Sequence, residues 1–153
     1  ELIAIFSEVD KVLNGVIRGQ ALIACIVGVC ISAGLYFLQV KFAFSIGILA
    51  GLLDIIPYFG AIIGAAPAVT IALLDSPLLA VKVSSLFFVV HQLEGTIIGP
   101  KILGESVGLH PLSVIFSLLI GEEVAGITGM LLAVPLAAIV KVLLRHFLKI
   151  VVE

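Results

Sequence analysis

The stretch GLLDIIPYFGAIIGAAPAV, residues 51–69, decides how this chain folds. Nearly every side chain around it is apolar, yet Asp54, Pro57 and Gly60 interrupt it, and Gly64 and Pro67 follow. Proline removes a backbone donor and its ring clashes with the preceding helical turn. A carboxylate at membrane depth costs about 2.5–3.5 kcal/mol on insertion scales. Both features in one apolar run point to a break in a membrane helix.

The flanks support this. As half-helices, residues 42–53 and 60–74 measure about 18 Å and about 22 Å at 1.5 Å per residue. Neither crosses a hydrocarbon core of about 30 Å alone. Together they are too long for one straight span and too short for two. Residues 54–60 are therefore expected to be unwound. Irregular backbone at membrane depth is tolerated only where protein or a water-filled cavity surrounds it.

Composition names the solvent. The 153 residues are 62% apolar and 12% charged, with a mean hydropathy of +1.38. A soluble domain is nearer half apolar and a quarter charged, and a chain this short leaves much of its area uncovered. The surroundings are a bilayer. A net charge of −2 argues against nucleic acid, which demands clustered Lys and Arg. Cys25 and Cys30 share one apolar run with neither metal spacing nor a disulfide framework; they read as small buried hydrophobes. The opening ELIAIFSEVDK has no basic n-region and no cleavage site, and a chain opening on Glu is expected to be a piece of a longer protein.

Residues 1–16 carry Leu2, Ile5, Phe6, Val9, Val12, Leu13 and Val16 at helical spacing, an amphipathic connector helix. Residues 17–150 are the transmembrane domain. Within it, 19–39 is the cleanest span, with Gly28, Ser32 and Gly34 as a small-residue packing face. Residues 77–93 form another apolar run, with Pro77 in its first turn and Lys82 placed to snorkel. A Gly-rich segment holding Gly99 and Pro100 follows. Residues 111–120 are a short helix. GEEVAGITG (121–129), with Gly126 and Gly129, is a second break. Residues 127–150 are a final helix carrying Pro135 and ending on Lys141, Arg145 and Lys149. Lys11 and Arg18 precede the first span, and Lys41 alone follows it. By the positive-inside rule both ends are cytoplasmic, so the crossings are even in number. Either four spans cross, two of them broken, or two spans cross and two hairpins re-enter, 42–74 from outside and 111–145 from the cytoplasm. Unwound tips at mid-depth fit transporters with inverted halves. GAIIGAAPAVTIALL (60–74) also faintly echoes GITGMLLAVPLAAIV (126–140), with unequal spacings.

IIPYFGAIIGAAPA (55–68), HQLEGTIIGPKILGESVGLHPL (91–112) and GITGMLLAVPLAAIVKVLL (126–144) resemble signatures of the autoinducer-2 exporter family of bacterial membrane proteins. The resemblance covers most of residues 10–148, about the C-terminal half of such a protein. It implies a polytopic, oligomeric inner-membrane protein. Some members are linked to export of a small signalling molecule, others to exchange of sodium or lithium for protons. Members often carry Asn at the position of Asp54, and Gly-rich sequence where Glu122 and Glu123 stand, so this chain places extra carboxylates at both breaks.

Each polar residue has two readings. Asp54 binds a proton or cation beside the carbonyls freed at Pro57, or it caps the next half-helix. His91, Gln92 and Glu94 form a polar gate or solute-binding cluster, or they are an interfacial helix end. Glu122 and Glu123 point in different directions on a helix; they are solvated, or one lines a cavity. Gly99 and Pro100 fix a loop, and His110 and His146 are interfacial. No catalytic residue, metal site or cofactor site is expected, and GESVG (104–108) lacks the strand–turn–helix context of a nucleophile elbow. The expectation is an all-α polytopic membrane protein with broken or re-entrant helices. Its favoured function is proton-driven export of a small polar solute by alternating access. The alternatives are a sodium or lithium–proton antiporter and a non-transporting membrane scaffold.

Overall fold

A computed structural model describes residues 2–103 and 109–152, and every element among them is helical. The GESVG stretch lies outside the described residues. The chain forms two compact units, Gln20–Ile102 and a second made of Glu1–Gly19 with Leu103–Glu153.

Helix α1, Leu2–Phe37, runs unbroken. The expected connector and the first span are therefore one helix, since nothing between residues 16 and 19 stops it. Its buried positions in the first unit, Ile23, Ala24, Val27, Ile31 and Leu35, recur every three or four residues, the spacing of one helical face. Positive φ at Gln39 and Phe42 then turns the chain.

Helix α2, Ala43–Leu53, and helix α3, Phe59–Asp75, form an antiparallel hairpin. Gly64 lies against Ala50, 3.1 Å from its Cα to where a Cβ would stand, while a Cβ on Gly60 would collide with the Leu53 carbonyl. Glycine is what lets the two backbones approach. The same device joins α2 to α1. A Cβ on Gly51 would lie 2.5 Å from the Ala24 carbonyl and 2.9 Å from Gly28 Cα, and one on Gly47 would strike Ser32. The expected small-residue face of α1 is thus used, divided between two neighbours: Gly28 and Ser32 meet α2, and Gly34 meets Leu86. Pro67, expected to break a helix, sits inside α3, which continues past it.

Helix α4, Pro77–Leu93, is capped by Ser76, whose hydroxyl accepts from Leu79 N at 3.1 Å. It packs against α3 through a stripe of Ala80, Val83, Phe87 and Val90. A π-helical segment, Glu94–Ile98, follows and leads into α5, Gly99–Leu103. The loop expected at Gly99 and Pro100 is therefore helical as far as Leu103. Pro100 is tolerated because it falls in the first turn of α5, where a missing N–H costs little.

In the second unit, α6 spans Pro111–Val152 with non-helical Ala125 and Gly126. Gly121 and Gly129 would lie about 12 Å apart along a straight helix, yet a Cβ on either would collide with the other's carbonyl. The chain thus reverses at Ala125–Gly126, within the expected second break. Two arms, 111–124 and 127–152, fold back on each other. Gly129 serves close packing, and Pro135 lies in the returning arm without ending it. Val16, Val134 and Ala138 form the core, with Val12, Leu109 and Val114 against it. Glu8 pairs with Arg145 at 4.0 Å and His146 at 3.6 Å.

Among the described residues, three helices are long and apolar enough to cross a membrane: Phe6–Phe37, Pro77–Ile102 and Leu112–Leu148, the last holding the reversal. Apolar residues cover the outside as well: Phe37 and Leu74 are each 83% exposed. Cys25 and Cys30 are exposed, not buried, because they lie off the stripe that α1 turns inward.

Candidate functional site: a polar cluster at the first break

On α2, Ile46 and Ala50 are buried, and one turn further the same face carries Asp54. On α4 the buried stripe continues from Phe87 to His91 and Glu94. The inward faces of two helices therefore end in polar groups, and the ends meet. His91 Nδ1 lies 2.9 Å from Glu94 Oε2 and 3.6 Å from Asp54 Oδ1. Asp54 is 2% exposed, and the His91 and Glu94 side chains are 16% and 22% exposed. Asp54 Oδ2 and His91 Nε2 are buried and find no hydrogen-bond partner among the described residues. Each of the three residues offers one ligating atom, and these atoms lie within 4.8 Å of one another. No metal spacing in the sequence anticipates this, because Asp54 and His91 stand 37 residues apart in the chain on different helices.

The break that presents Asp54 is held on several sides. Asp54 closes α2, its N–H donating to the Ala50 carbonyl at 3.0 Å. It does not cap α3, whose N-cap is Tyr58 without a side-chain bond. Phe59 N donates to the Pro57 carbonyl at 2.8 Å, and Tyr58 between them has φ 65 and ψ −50. That is a γ-turn, a rare and strained conformation, and strain of this kind gathers at functional sites. From α1, Gln20 Nε2 donates to the carbonyls of Asp54 and Ile55 at 3.3 and 3.2 Å. Sequence reading missed Gln20. Its signal was being the first amide side chain of an otherwise uncharged span, since polar side chains there bond across helices.

Other candidates fall elsewhere. Gln92 is exposed, as it must be one residue off the buried stripe; its carbonyl accepts from Thr96 Oγ1 at 2.6 Å. The π-helical segment begins at Glu94 and ends on Gly99, whose N–H donates to the Glu94 carbonyl; such segments are frequent at functional sites. Pro57 lies in the break, and Gly60 and Gly64 tighten the hairpin below it. Glu122 and Glu123 are exposed at the reversal of α6, in the second unit. Two apolar grooves avoid the cluster. One, about 830 Å³, lies between the arms of α6; the other, about 750 Å³, lies along α1 and α2.

The model of the AI-2E family transporter matches residues 1–149. The chain is 39% identical over 150 residues to "Putative transport protein YrrI" of Bacillus subtilis (strain 168), covering 98% of this chain and 42% of that protein. It is 34% identical over 151 residues to "Putative transport protein YueF" of the same strain, covering 99% and 41%. To "AI-2 transport protein TqsA" of Escherichia coli (strain K12) it is 35% identical over 144 residues, covering 94% and 42%. The chain thus spans about two fifths of the length of the curated relatives it matches. With its helical fold and apolar exterior, this multi-pass membrane chain belongs to the AI-2E family of transporters.

Proposed function

We propose that the chain is part of a bacterial inner-membrane secondary transporter that exports a small polar solute by alternating access, driven by the proton gradient. The α2–α3 hairpin acts as a re-entrant element whose tip carries the binding site, and both ends of the chain face the cytoplasm. One observation carries this: Asp54, His91 and Glu94 converge at an unwound tip, with two of their polar atoms buried and unpaired among the described residues. Ionisable groups in apolar surroundings mark substrate and ion pathways. The name of TqsA points to autoinducer-2 as the solute to try first.

A second reading is exchange of sodium or lithium for protons at the same three residues. Two carboxylates meeting at the tip favour it, since their charge attracts a cation. Full-length protein in proteoliposomes, with a pH-sensitive dye inside and an imposed proton gradient, separates the two. Collapse of the gradient on adding sodium or lithium, abolished by Asp54→Asn, establishes exchange. Labelled autoinducer-2 flux without a cation response supports solute export, in which Asp54→Asn keeps a basal flux but loses its response to the proton gradient. Folded protein showing neither leaves a scaffold role and overturns both.

A further inference from the structure

We infer that Asp54, His91 and Glu94 form a binding site for a divalent transition-metal cation of the zinc, cobalt or manganese class. The inference rests on reading these residues as the binding site of the transporter, and it names the class of cation they hold.

Charge is the first ground. Metal ligands bind deprotonated, and in that form the two carboxylates place two negative charges at a tip where Asp54 is 2% exposed. One divalent ion neutralises both, whereas a monovalent ion leaves an uncompensated buried charge, which is costly. The donor set is the second. Sodium and lithium are hard cations, like magnesium and calcium, for which oxygen ligands are preferred. Imidazole suits the later first-row metals, and carboxylate is acceptable to most of them. One nitrogen with two carboxylate oxygens therefore selects against the alkali ions.

Geometry is the third ground. The three ligating atoms lie within 4.8 Å of one another. Around an ion bound at about 2.0–2.2 Å, neighbouring ligands stand about 3–4 Å apart. Closing the cluster takes about 1 Å of side-chain movement, and His91 Nδ1 already lies 2.9 Å from Glu94 Oε2. An unsatisfied atom is the fourth. Asp54 is 2% exposed, and its Oδ2 lacks a hydrogen-bond partner among the described residues. A coordinated ion supplies what such a carboxylate lacks. Three protein ligands leave a position open for water or solute, the form of an exchanging site, whereas structural sites are closed by four.

The test is titration of the purified full-length protein in detergent with Co²⁺, read by its visible ligand-field absorption and by metal content after dialysis. Wild type is expected to hold one Co²⁺ per chain, with a spectrum distinct from aqueous Co²⁺, and to keep it against excess sodium or lithium. Asp54→Asn, His91→Ala and Glu94→Gln should each weaken binding at least about tenfold, since loss of an outer-shell partner alone costs 10–100-fold. Asp75→Asn, at an exposed ion pair, should leave it unchanged. An aqueous spectrum in folded wild type, displacement by sodium or lithium, or retention of Co²⁺ in folded Asp54→Asn and His91→Ala would each overturn the inference. The wild-type spectrum and the displacement need no variant, so a misfolded variant does not blunt the test. Gradient-driven solute flux without Co²⁺ binding sinks this inference and leaves the transport reading standing. Bound Co²⁺ without any flux supports the site and overturns that reading.

Discussion

A single side chain from each of three helices sets the chemistry of the first break. Asp54 ends the inward face of α2, His91 ends that of α4, and Gln20 of α1 ties down the carbonyls of Asp54 and Ile55. Replacing Gln20 with Leu leaves those part-buried carbonyls short of a donor, which costs about 1–3 kcal/mol. Thermal unfolding in detergent should show the loss, and an unchanged midpoint would mean that water serves the carbonyls as well. Tyr58 tests strain in the opposite direction. Its φ of 65 suits Gly, so Tyr58→Gly should relieve part of about 1–3 kcal/mol of strain, offset by about 0.5–1 kcal/mol of added chain entropy. A midpoint that holds or rises is expected, and a clear fall would show that the ring, not the backbone, matters there. Asp54 was legible in the sequence as a carboxylate in an apolar run. His91 and Glu94 were legible as a polar gate or solute-binding cluster, or as an interfacial helix end, but not as partners of Asp54. That they meet Asp54 is a consequence of how α2, α3 and α4 pack, which no local pattern encodes.

At the scale of elements, two helical hairpins are built by the same means, a tight reversal with glycines letting the arms touch. Breaks were readable where backbone chemistry forced them, at Pro57 and at Gly126. Pro67 and Pro135 lie inside continuing helices, where neighbouring helices and local adjustments absorb one missing N–H. The weak echo between residues 60–74 and 126–140 has a structural counterpart, since each stretch begins the returning arm of its hairpin. Gly51 should be intolerant of any side chain, because the atoms facing it are the backbone of Ala24 and Gly28 and cannot swing aside. Gly51→Val should cost about 1–3 kcal/mol by overpacking, while Gly95→Ala, with nothing within 4 Å, should show no clash. Gly126 has φ 59 and ψ −138, a conformation that side chains disfavour. Gly126→Ala should lower the unfolding midpoint through about 1–3 kcal/mol of strain. Indifference to that change would mean the reversal is not fixed at this residue.

Across the whole molecule, composition was the most informative feature. With 62% apolar residues and large apolar side chains on its outside, the chain is made for a solvent that is itself apolar. The all-α architecture followed from apolar runs of helical length, and the family from long, ordered motifs. The solute and the coupling ion did not, because specificity rests on a few polar atoms whose separation is set in three dimensions. The most direct test of a gradient-coupled site at Asp54 is labelled autoinducer-2 flux through the full-length protein in proteoliposomes, with and without a proton gradient. Wild type should accelerate flux when the gradient is imposed, and Asp54→Asn should keep a basal flux that no longer responds to it. Full gradient response in folded, inserted Asp54→Asn would contradict the assignment of this carboxylate to the coupling site.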